Sequence, residues 1–380
     1  MSFVPSRRHA HRCLALGLAA AVTAPSGFLA ACSRRPVVIK VGFLGGLTGT
    51  VAELGVEGRN GALLAAEELS AAAGASRIEV VPMDDRQNAD VARAAVQALA
   101  QQGVAFAVGP MTSAMAVAVV PEAQRLGLVL ISPTATTDEL SGKPDVFYRV
   151  AADASYGARQ LADAAAHAGG QRFALLLDAR NRSYSASFGN AFAARVKAQG
   201  GTVTGIVEYQ EADVDFRALS ERLLAERPDT VLIVAGVGDS ALVAQQLRRQ
   251  APALRLVVTP WAANARFLQL GGRNVEGTIA QQALDLASPA PAFVAFRQRY
   301  RTRFGEDATT PAVQSYEALA LGIAALREAD GAHTLQQVLG QPGRHWPGLY
   351  SDILLDANGD TARSLHLAQV RDGRFAAFAP

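Results

Sequence analysis

Two short loops rich in hydroxyl groups are the residues of this chain best suited to hold a small solute. The first is Gly109-Pro110-Met111-Thr112-Ser113, and the second is Pro133-Thr134-Ala135-Thr136-Thr137. Each follows an apolar run of strand length, residues 104–108 and 128–132, and precedes a predicted helix. Serine and threonine are common helix N-caps, so capping alone explains either loop. As a pair, their hydroxyl and backbone N–H groups predict a cradle for a carboxylate or carbonyl group.

The elements around these loops predict how they are positioned. From residue 37 to residue 140 strands and helices alternate, which is typical of a parallel, doubly wound α/β sheet. Parallel strands joined by helices bring successive loops to one edge of the sheet, where ligand crevices form. The alternation breaks at 147–150 and restarts with a helix at 155–168, which indicates a second α/β unit of similar size. The chain is then predicted to end in helices at 291–304, 311–329 and 334–339 and in a hairpin, 351–355 with 366–370, that turns at Asn358-Gly359.

The first 31 residues have the pattern of an export signal. Arg7, Arg8 and Arg12 precede an apolar segment too short to span a bilayer, and Leu29-Ala30-Ala31 stands before Cys32. This order resembles a lipoprotein signal, which implies cleavage before Cys32 and lipid attachment to its sulfur. Residues 32–36 are then a linker, and the mature chain is expected to be exported and anchored to a membrane by lipid.

Removing the leader changes the charge and the cysteine count. The loss of its three arginines leaves 33 basic residues against 34 acidic ones, so charge gives no reason to expect nucleic acid as a partner. Cys13 leaves with the leader and Cys32 is lipidated, so neither a disulfide nor a cysteine nucleophile is expected. The remaining chain, half of it hydrophobic in overall composition, is long enough to form two domains on apolar cores alone.

Other motifs in the chain are candidates for catalytic, nucleotide or metal chemistry. The segment from Gly236 to Ala241 fits a dinucleotide fingerprint in form, but the next strand is followed by Thr259-Pro260-Trp261 rather than by an acidic residue. Asp84-Asp85 is interpreted as helix capping, and the acids at 356 and 360 lack the spacing of a calcium loop. The histidines of the mature chain are scattered. We therefore predict no catalytic residue, cofactor or metal.

The chain resembles a known family in several short segments. The segments that carry the resemblance are Val41-Gly42 through Leu47-Thr48-Gly49, Gly55 with the helix bearing Gly61, Asp84-Asp85, Gly109 through Ser113, and Ser132 through Thr136. Together they are similar to type I periplasmic binding proteins of ABC importers, of the leucine/isoleucine/valine-binding family. The resemblance implies two doubly wound α/β lobes joined by a three-strand hinge. It maps one lobe to 37–150 and 283–349 and the other to 151–282 and 350–380.

The resemblance also implies which residues bind the solute. Ser113 matches a family serine that bonds the ligand carboxylate. Thr134, Ala135 and Thr136 match the loop whose backbone and hydroxyl groups hold the carboxylate and ammonium, and Tyr184 matches a tyrosine that closes from the second lobe. An aromatic lid over a hydroxyl cradle agrees with the residue chemistry itself.

Two departures from the family leave the identity of the solute undetermined. Trp261 stands where many members have an acid that accepts the ligand ammonium, and Leu54 replaces a common aromatic residue. Asp239 and Asp178 are alternative acceptors, although each is equally explained as a helix cap or strand-end residue. Trp261 is either lobe packing or a flat cleft wall, so the solute is expected to be an amino acid, an aromatic or aliphatic acid, or an amide.

The function expected from the resemblance is that of a monomeric solute-binding lipoprotein that serves the permease and ATPase subunits of an ABC importer. A ligand sensor of a regulatory system would use the same cleft. A hydrolase would need a perturbed acid and base pair within the cleft.

Overall fold

The computed structural model describes residues 37–73, 76–211, 214–329 and 332–378. The predicted leader, Cys32 and the linker lie outside the described residues. Among the residues that are described, no helix has both the length and the apolar character needed to cross a membrane.

The first lobe is a five-stranded parallel sheet in the order β2-β1-β3-β4-β5. Its strands are β1 Val37–Gly45, β2 Ser76–Asp84, β3 Ala107–Val108, β4 Leu130–Ser132 and β5 Phe147–Arg149. Its helices are α1 Ala52–Ala73, α2 Ala89–Gln101 and α3 Ser113–Leu126. Strands buried on both faces and covered by helices give the near-continuous apolar runs by which the sequence predicted them.

The second lobe repeats the same winding. Its parallel strands lie in the order β7-β6-β8-β9-β10, and β13 and β14 extend the sheet antiparallel beside β10. The strands are β6 Arg172–Asp178, β7 Thr202–Tyr209, β8 Thr230–Val234, β9 Arg255–Val258, β10 Ile279–Gln282, β13 His366–Arg371 and β14 Arg374–Ala377. The helices are α4 Ala154–His167, α5 Arg182–Ala198, α6 Phe216–Leu224, α7 Val237–Gln250 and α8 Ala265–Gly271. The two-lobe α/β fold predicted from the sequence is confirmed.

The chain passes between the lobes three times. It leaves the first lobe after β5, returns after β10, and then forms α9 Pro291–Phe304, α10 Thr310–Glu328, α11 Leu335–Leu339, β11 His345–Trp346 and β12 Ile353–Leu354 against the first lobe. The third passage lies between Thr361 and His366, later in the chain than the boundary at 349/350 that the resemblance implied. Ile353 and Leu355 pack in the core of the first lobe, which fixes this assignment.

The predicted C-terminal hairpin is wrong in its pairing. Ile353–Leu354 pairs with β11, whereas β13 pairs with β10 and β14. The turn at Asn358-Gly359 does form, and its Asp360 makes an ion pair of 2.7 Å with the fully buried Arg149 at the end of β5. A buried guanidinium needs such a partner, so this ion pair ties the turn to the first lobe.

Close packing of α1 on α10 holds the carboxy-terminal helices on the first lobe. Gly61 lies against the backbone of Ala312, because a Cβ placed at Gly61 would be 1.9 Å from the Ala312 carbonyl oxygen. Gly55, at the start of the same helix, lies equally close to the Gly46 carbonyl oxygen, at 2.0 Å. Both glycines of the family pattern therefore serve close approach of backbones.

We predict that Gly61→Ala destabilises the protein by about 2 to 3 kcal/mol, because the added methyl group forces α1 and α10 apart. The midpoint of urea unfolding measures the effect. Gly238→Ala is the matched control, since that helical glycine has open space around its Cβ position. It should be neutral or slightly stabilising, and an equal loss in both variants would contradict the packing account.

Candidate functional site

The described residues form a cleft of about 810 Å³ between the two lobes. Its walls are the segments that follow β1, β3 and β4 in the first lobe and β6, β8 and β9 in the second. These segments follow the carboxyl ends of parallel strands, on both sides of the point in each sheet where the strand order reverses. Proteins with α/β sheets bind their ligands at such points. Apolar surface with a few polar groups suits a small solute.

The two hydroxyl loops meet in this cleft. Ser113 is the first residue of α3, is 1% exposed, and accepts hydrogen bonds from the backbone N–H of Thr136 at 3.1 Å and of Thr137 at 3.2 Å. Thr134 donates its hydroxyl proton to the Met111 carbonyl. Ser113, Thr134 and Thr136 all line the cleft. Ala135 does not: it is fully buried behind them, and its N–H donates to Ser132 Oγ at 3.0 Å.

Two unused hydrogen-bonding groups lie at this wall. The Ser113 hydroxyl accepts two backbone bonds and has no acceptor for its own proton among the described residues. Thr136 Oγ1 is buried and has no hydrogen-bond partner in the described part of the chain. A buried hydroxyl without a partner costs about 1 to 3 kcal/mol, so a solute that bonds to it recovers free energy.

The opposite wall is aromatic. Tyr184 and Trp261 line the cleft with their rings edge to face, 5.8 Å between centroids, and Phe188 lies behind Tyr184 at 5.8 Å. Burial raises the pKa of the Tyr184 hydroxyl, so it is neutral at physiological pH. Trp261 therefore both packs within the second lobe and presents a flat surface to the cleft.

The two candidate ammonium acceptors are already engaged. Arg180 makes a bidentate pair with Asp178, and the same guanidinium contacts Asp239. Asp239 also accepts the Tyr209 hydroxyl at 2.7 Å. The sequence pattern did not indicate Arg180, although its position two residues after Asp178 places it at the same strand end.

The acids at the end of β2 hold the neighbouring loops. Asp84 accepts hydrogen bonds from Leu47 N at 2.8 Å and Thr48 Oγ1 at 2.6 Å, while Asn88 caps α2. The interpretation of Asp84-Asp85 as a helix cap is therefore wrong. Within the described ranges, no group of three or more His, Cys, Asp and Glu side chains is placed to hold a metal ion.

The lobes contact each other across the cleft through polar groups. Asn181, in the second lobe, accepts a hydrogen bond from Ala114 N of α3 at 3.0 Å, where the N-cap residue Thr112 makes no side-chain cap. Ser187 Oγ lies 3.2 Å from Asp138 N and 3.3 Å from Thr137 Oγ1. Arg266 and Glu53 form an ion pair of 3.5 Å. A side chain of one lobe thus caps a helix of the other.

We predict that Asn181→Ala shifts the protein toward a more open form. The α3 cap, worth about 1 kcal/mol, exists only when the lobes are together, so its removal destabilises only the closed form. Small-angle X-ray scattering should show a larger radius of gyration. Asn190→Ala, an exposed change on α5, the helix that follows Asn181, should leave it unchanged. Identical scattering for Asn181→Ala and the parent would rule out this role.

Sequence reasoning missed several cleft residues, of which Glu57 is the most unusual. It lies on the face of α1 that carries Leu54 and Gly61, so an acid within an apolar stripe was the available signal. Its Oε2 accepts the Thr309 hydroxyl at 2.8 Å. Burial raises its pKa to about 7. Other polar residues that line the cleft and were missed include Gln87, Arg180, Asn181, Gln281, Thr309, Gln314, Tyr350 and Arg363.

The raised pKa of Glu57 gives a stability prediction for the protein without solute. The folded state holds this proton more tightly than the unfolded chain, so the stabilisation is complete below pH 4.5 and is lost as the pH rises through 7. Glu57→Gln should therefore raise the free energy of unfolding by about 2 kcal/mol at pH 8 and leave it nearly unchanged at pH 4.5.

Urea unfolding at the two pH values measures this difference. Glu306→Gln is the control, because that neighbouring acid is exposed and its change should stay within about 0.5 kcal/mol. A Glu57→Gln effect that does not depend on pH would contradict the burial account.

Comparison with known proteins agrees with this architecture. The sequence profile of a family described as periplasmic binding protein matches residues 38–374. The Leu/Ile/Val-binding protein BraC3 of Rhizobium johnstonii is 26% identical to this chain over 354 residues, covering 89% of this chain and 93% of that protein.

Solved structures show the same fold. The leucine binding protein LivK from Thermotoga maritima superposes with a TM-score of 0.80 at 22% identity, covering 90% of this chain and 98% of that one. A solute binding protein from R. palustris, solved in complex with 4-hydroxybenzoate, superposes with a TM-score of 0.80 at 20% identity, covering 90% and 95%. The chain thus belongs to the periplasmic binding protein family, with relatives among its Leu/Ile/Val-binding members, as the sequence predicted.

Proposed function

We propose that this chain is the solute-binding lipoprotein of an ABC importer and that it captures a small carboxylate-bearing solute in the cleft between its lobes. The observation that carries the proposal is the unpartnered Thr136 hydroxyl beside Ser113 at the N-terminus of α3. Helix N-termini and hydroxyl donors both favour an anionic group.

The proposed pose places the carboxylate on the first lobe. Ser113 donates its free hydroxyl proton to one carboxylate oxygen, and Thr136 donates to the other. Because Ser113 and the Thr136 backbone are already joined by a hydrogen bond, the two donors are fixed before the solute arrives. Such preorganisation reduces the entropy that binding must overcome.

The proposed pose places the apolar part of the solute against Tyr184 and Trp261. Relatives of this chain include a leucine binding protein and a protein solved with 4-hydroxybenzoate. Both an aliphatic and an aromatic side chain fit a wall of two edge-to-face rings. We therefore keep branched-chain and aromatic carboxylic acids, with their amides, as the solute class to be screened.

Export and partners follow from the leader and the family. The family implies a location outside the cytoplasm, and we propose that Cys32 carries the lipid that anchors the chain to the membrane. The proposed partners are the permease and ATPase subunits of the importer, with the chain itself acting as a monomer. Its relatives are named as binding proteins, which supports a non-catalytic role.

The proposed cycle is a hinge closure around the solute. In the open form the first lobe binds the carboxylate. Rotation about the three connecting segments then brings Tyr184 and Trp261 over the solute, and the contacts of Asn181 and Ser187 form. The permease would recognise the closed pair of lobes.

We predict that Ser113→Ala weakens binding of the true solute by about 10- to 100-fold, because a hydrogen bond to a charged group is lost. Thr136→Val should weaken binding similarly without reducing stability, since its hydroxyl has no partner in the free protein. A thermal-shift screen of amino acids, amides and aromatic acids identifies the solute, and calorimetric titration then measures the variants.

Ser132→Ala is the matched control for these variants. Ser132 Oγ also joins the two hydroxyl loops, to Pro110 O at 2.7 Å and Ala135 N at 3.0 Å, but it does not line the cleft. It should lower stability and leave affinity at a temperature well below unfolding nearly unchanged. An unchanged affinity in both Ser113→Ala and Thr136→Val would refute the cradle.

A further inference from the structure

Acidic side chains outnumber basic ones in the cleft by six to two. The acids are Glu53, Glu57, Asp153, Asp178, Glu211 and Asp239, and the bases are Arg180 and Arg363. Arg363 is itself neutralised by the buried Glu317. A cleft that bound only an anion would be opposed by this excess of negative charge, so the balance favours a solute that also carries positive charge.

Most of these acids already form ion pairs or helix caps within the protein. Asp178 and Asp239 share Arg180, and Glu53 faces Arg266. Asp153 caps α4 by accepting a hydrogen bond from Tyr156 N at 2.7 Å. These interactions use the charge of each side chain or one of its oxygens.

Glu57 differs because it is partly buried and has no paired cation in the part of the chain that the structure describes. Its hydrogen-bond partner is the neutral Thr309 hydroxyl, and no basic side chain pairs with it among the described residues. The groups that face it are Glu53 of α1, Tyr300 of α9, Glu306 and Thr309 before α10, and the more distant Arg266 of α8. Two of these groups, Glu53 and Glu306, are acids, and their charges disfavour a negative charge on Glu57.

The helix that carries Glu57 packs on the first hydroxyl loop of the cradle. The next residue, Gly58, packs against Met111 of the first hydroxyl loop, since a Cβ at Gly58 would lie 2.5 Å from Met111 Cε. Met111 precedes Ser113 by two residues, and both line the cleft with Glu57. An amine held at Glu57 and a carboxylate held at Ser113 therefore belong to one wall of one lobe.

We propose that Glu57 is the ammonium acceptor of this cleft, so that the first lobe binds both charged groups of a solute carrying a protonated amine and a carboxylate. The proposal rests on the proposed function. It assigns the binding of the ammonium to Glu57 on α1, because Trp261 stands in the second lobe where many family members have an acid for this role.

Matched pairs of solutes test the assignment by calorimetry at pH 8. The pairs are L-leucine with 4-methylpentanoate, L-phenylalanine with 3-phenylpropanoate, and 4-(aminomethyl)benzoate with 4-methylbenzoate. In at least one pair the amine-bearing member should bind at least about tenfold tighter than its partner. Glu57→Gln keeps an acceptor for Thr309 but removes the charge, and it should abolish this preference.

The pH dependence separates charge from shape. Between pH 8 and pH 6 the affinity for the amine-bearing member should fall about tenfold as Glu57 takes up a proton, while the solute's own groups keep their charge. The amine-free member should show no such fall, and Glu57→Gln should remove it. Glu306→Gln, which removes a like charge near Glu57 and does not line the cleft, should move the transition to lower pH.

The outcomes distinguish this proposal from the one it rests on. If carboxylates bind through Ser113 but the amine gives no advantage, or Glu57→Gln keeps that advantage, Glu57 is not the acceptor while the solute-binding function stands. If no member of any pair binds at millimolar concentration, both proposals are overturned.

Discussion

The structure depends on one constraint: parallel strands joined by helices bring all their carboxyl ends, and the N-termini of the following helices, to a single edge of the sheet. Both lobes wind in the same strand order, β2-β1-β3-β4-β5 and β7-β6-β8-β9-β10. The three connecting segments hold these two edges against each other. Consequently the polar loop residues of both lobes converge on one cleft although they are far apart in sequence.

Within that cleft the two lobes offer different chemical groups to a solute. The hydroxyl loops of the first lobe are joined by Ser113 and Ser132, so their donors have fixed positions. The second lobe offers rings and an Arg180 cluster that is satisfied internally. The first lobe is therefore suited to bind first, and the second to exclude water when the lobes close.

The sequence was sufficient for the fold because its signals are local. Apolar runs, helical spacing and loop punctuation gave the alternation, and the neighbouring hydroxyl loops followed from topology alone. Three features needed coordinates. The pairing of Arg180 with Asp239 joins residues 59 positions apart. The Asp360 pair with Arg149 holds the Asn358-Gly359 turn on the first lobe, so the two predicted hairpin strands lie in different lobes. Two-residue strands such as His345–Trp346 are too short to show periodicity.

The free energy of the solute-free cleft, and the small free-energy difference between its open and closed forms, explain why a solute should drive closure. An unpartnered Thr136 hydroxyl and a buried Glu57 each make the solute-free cleft less stable than it would be with apolar residues. The contacts of Asn181, Ser187 and Arg266 across the cleft are polar, and such contacts are worth little individually in water. The open and closed forms can then differ by only a few kcal/mol. A solute that is held on the first lobe and contacts Tyr184 and Trp261 only when enclosed has the differential affinity needed to move that equilibrium.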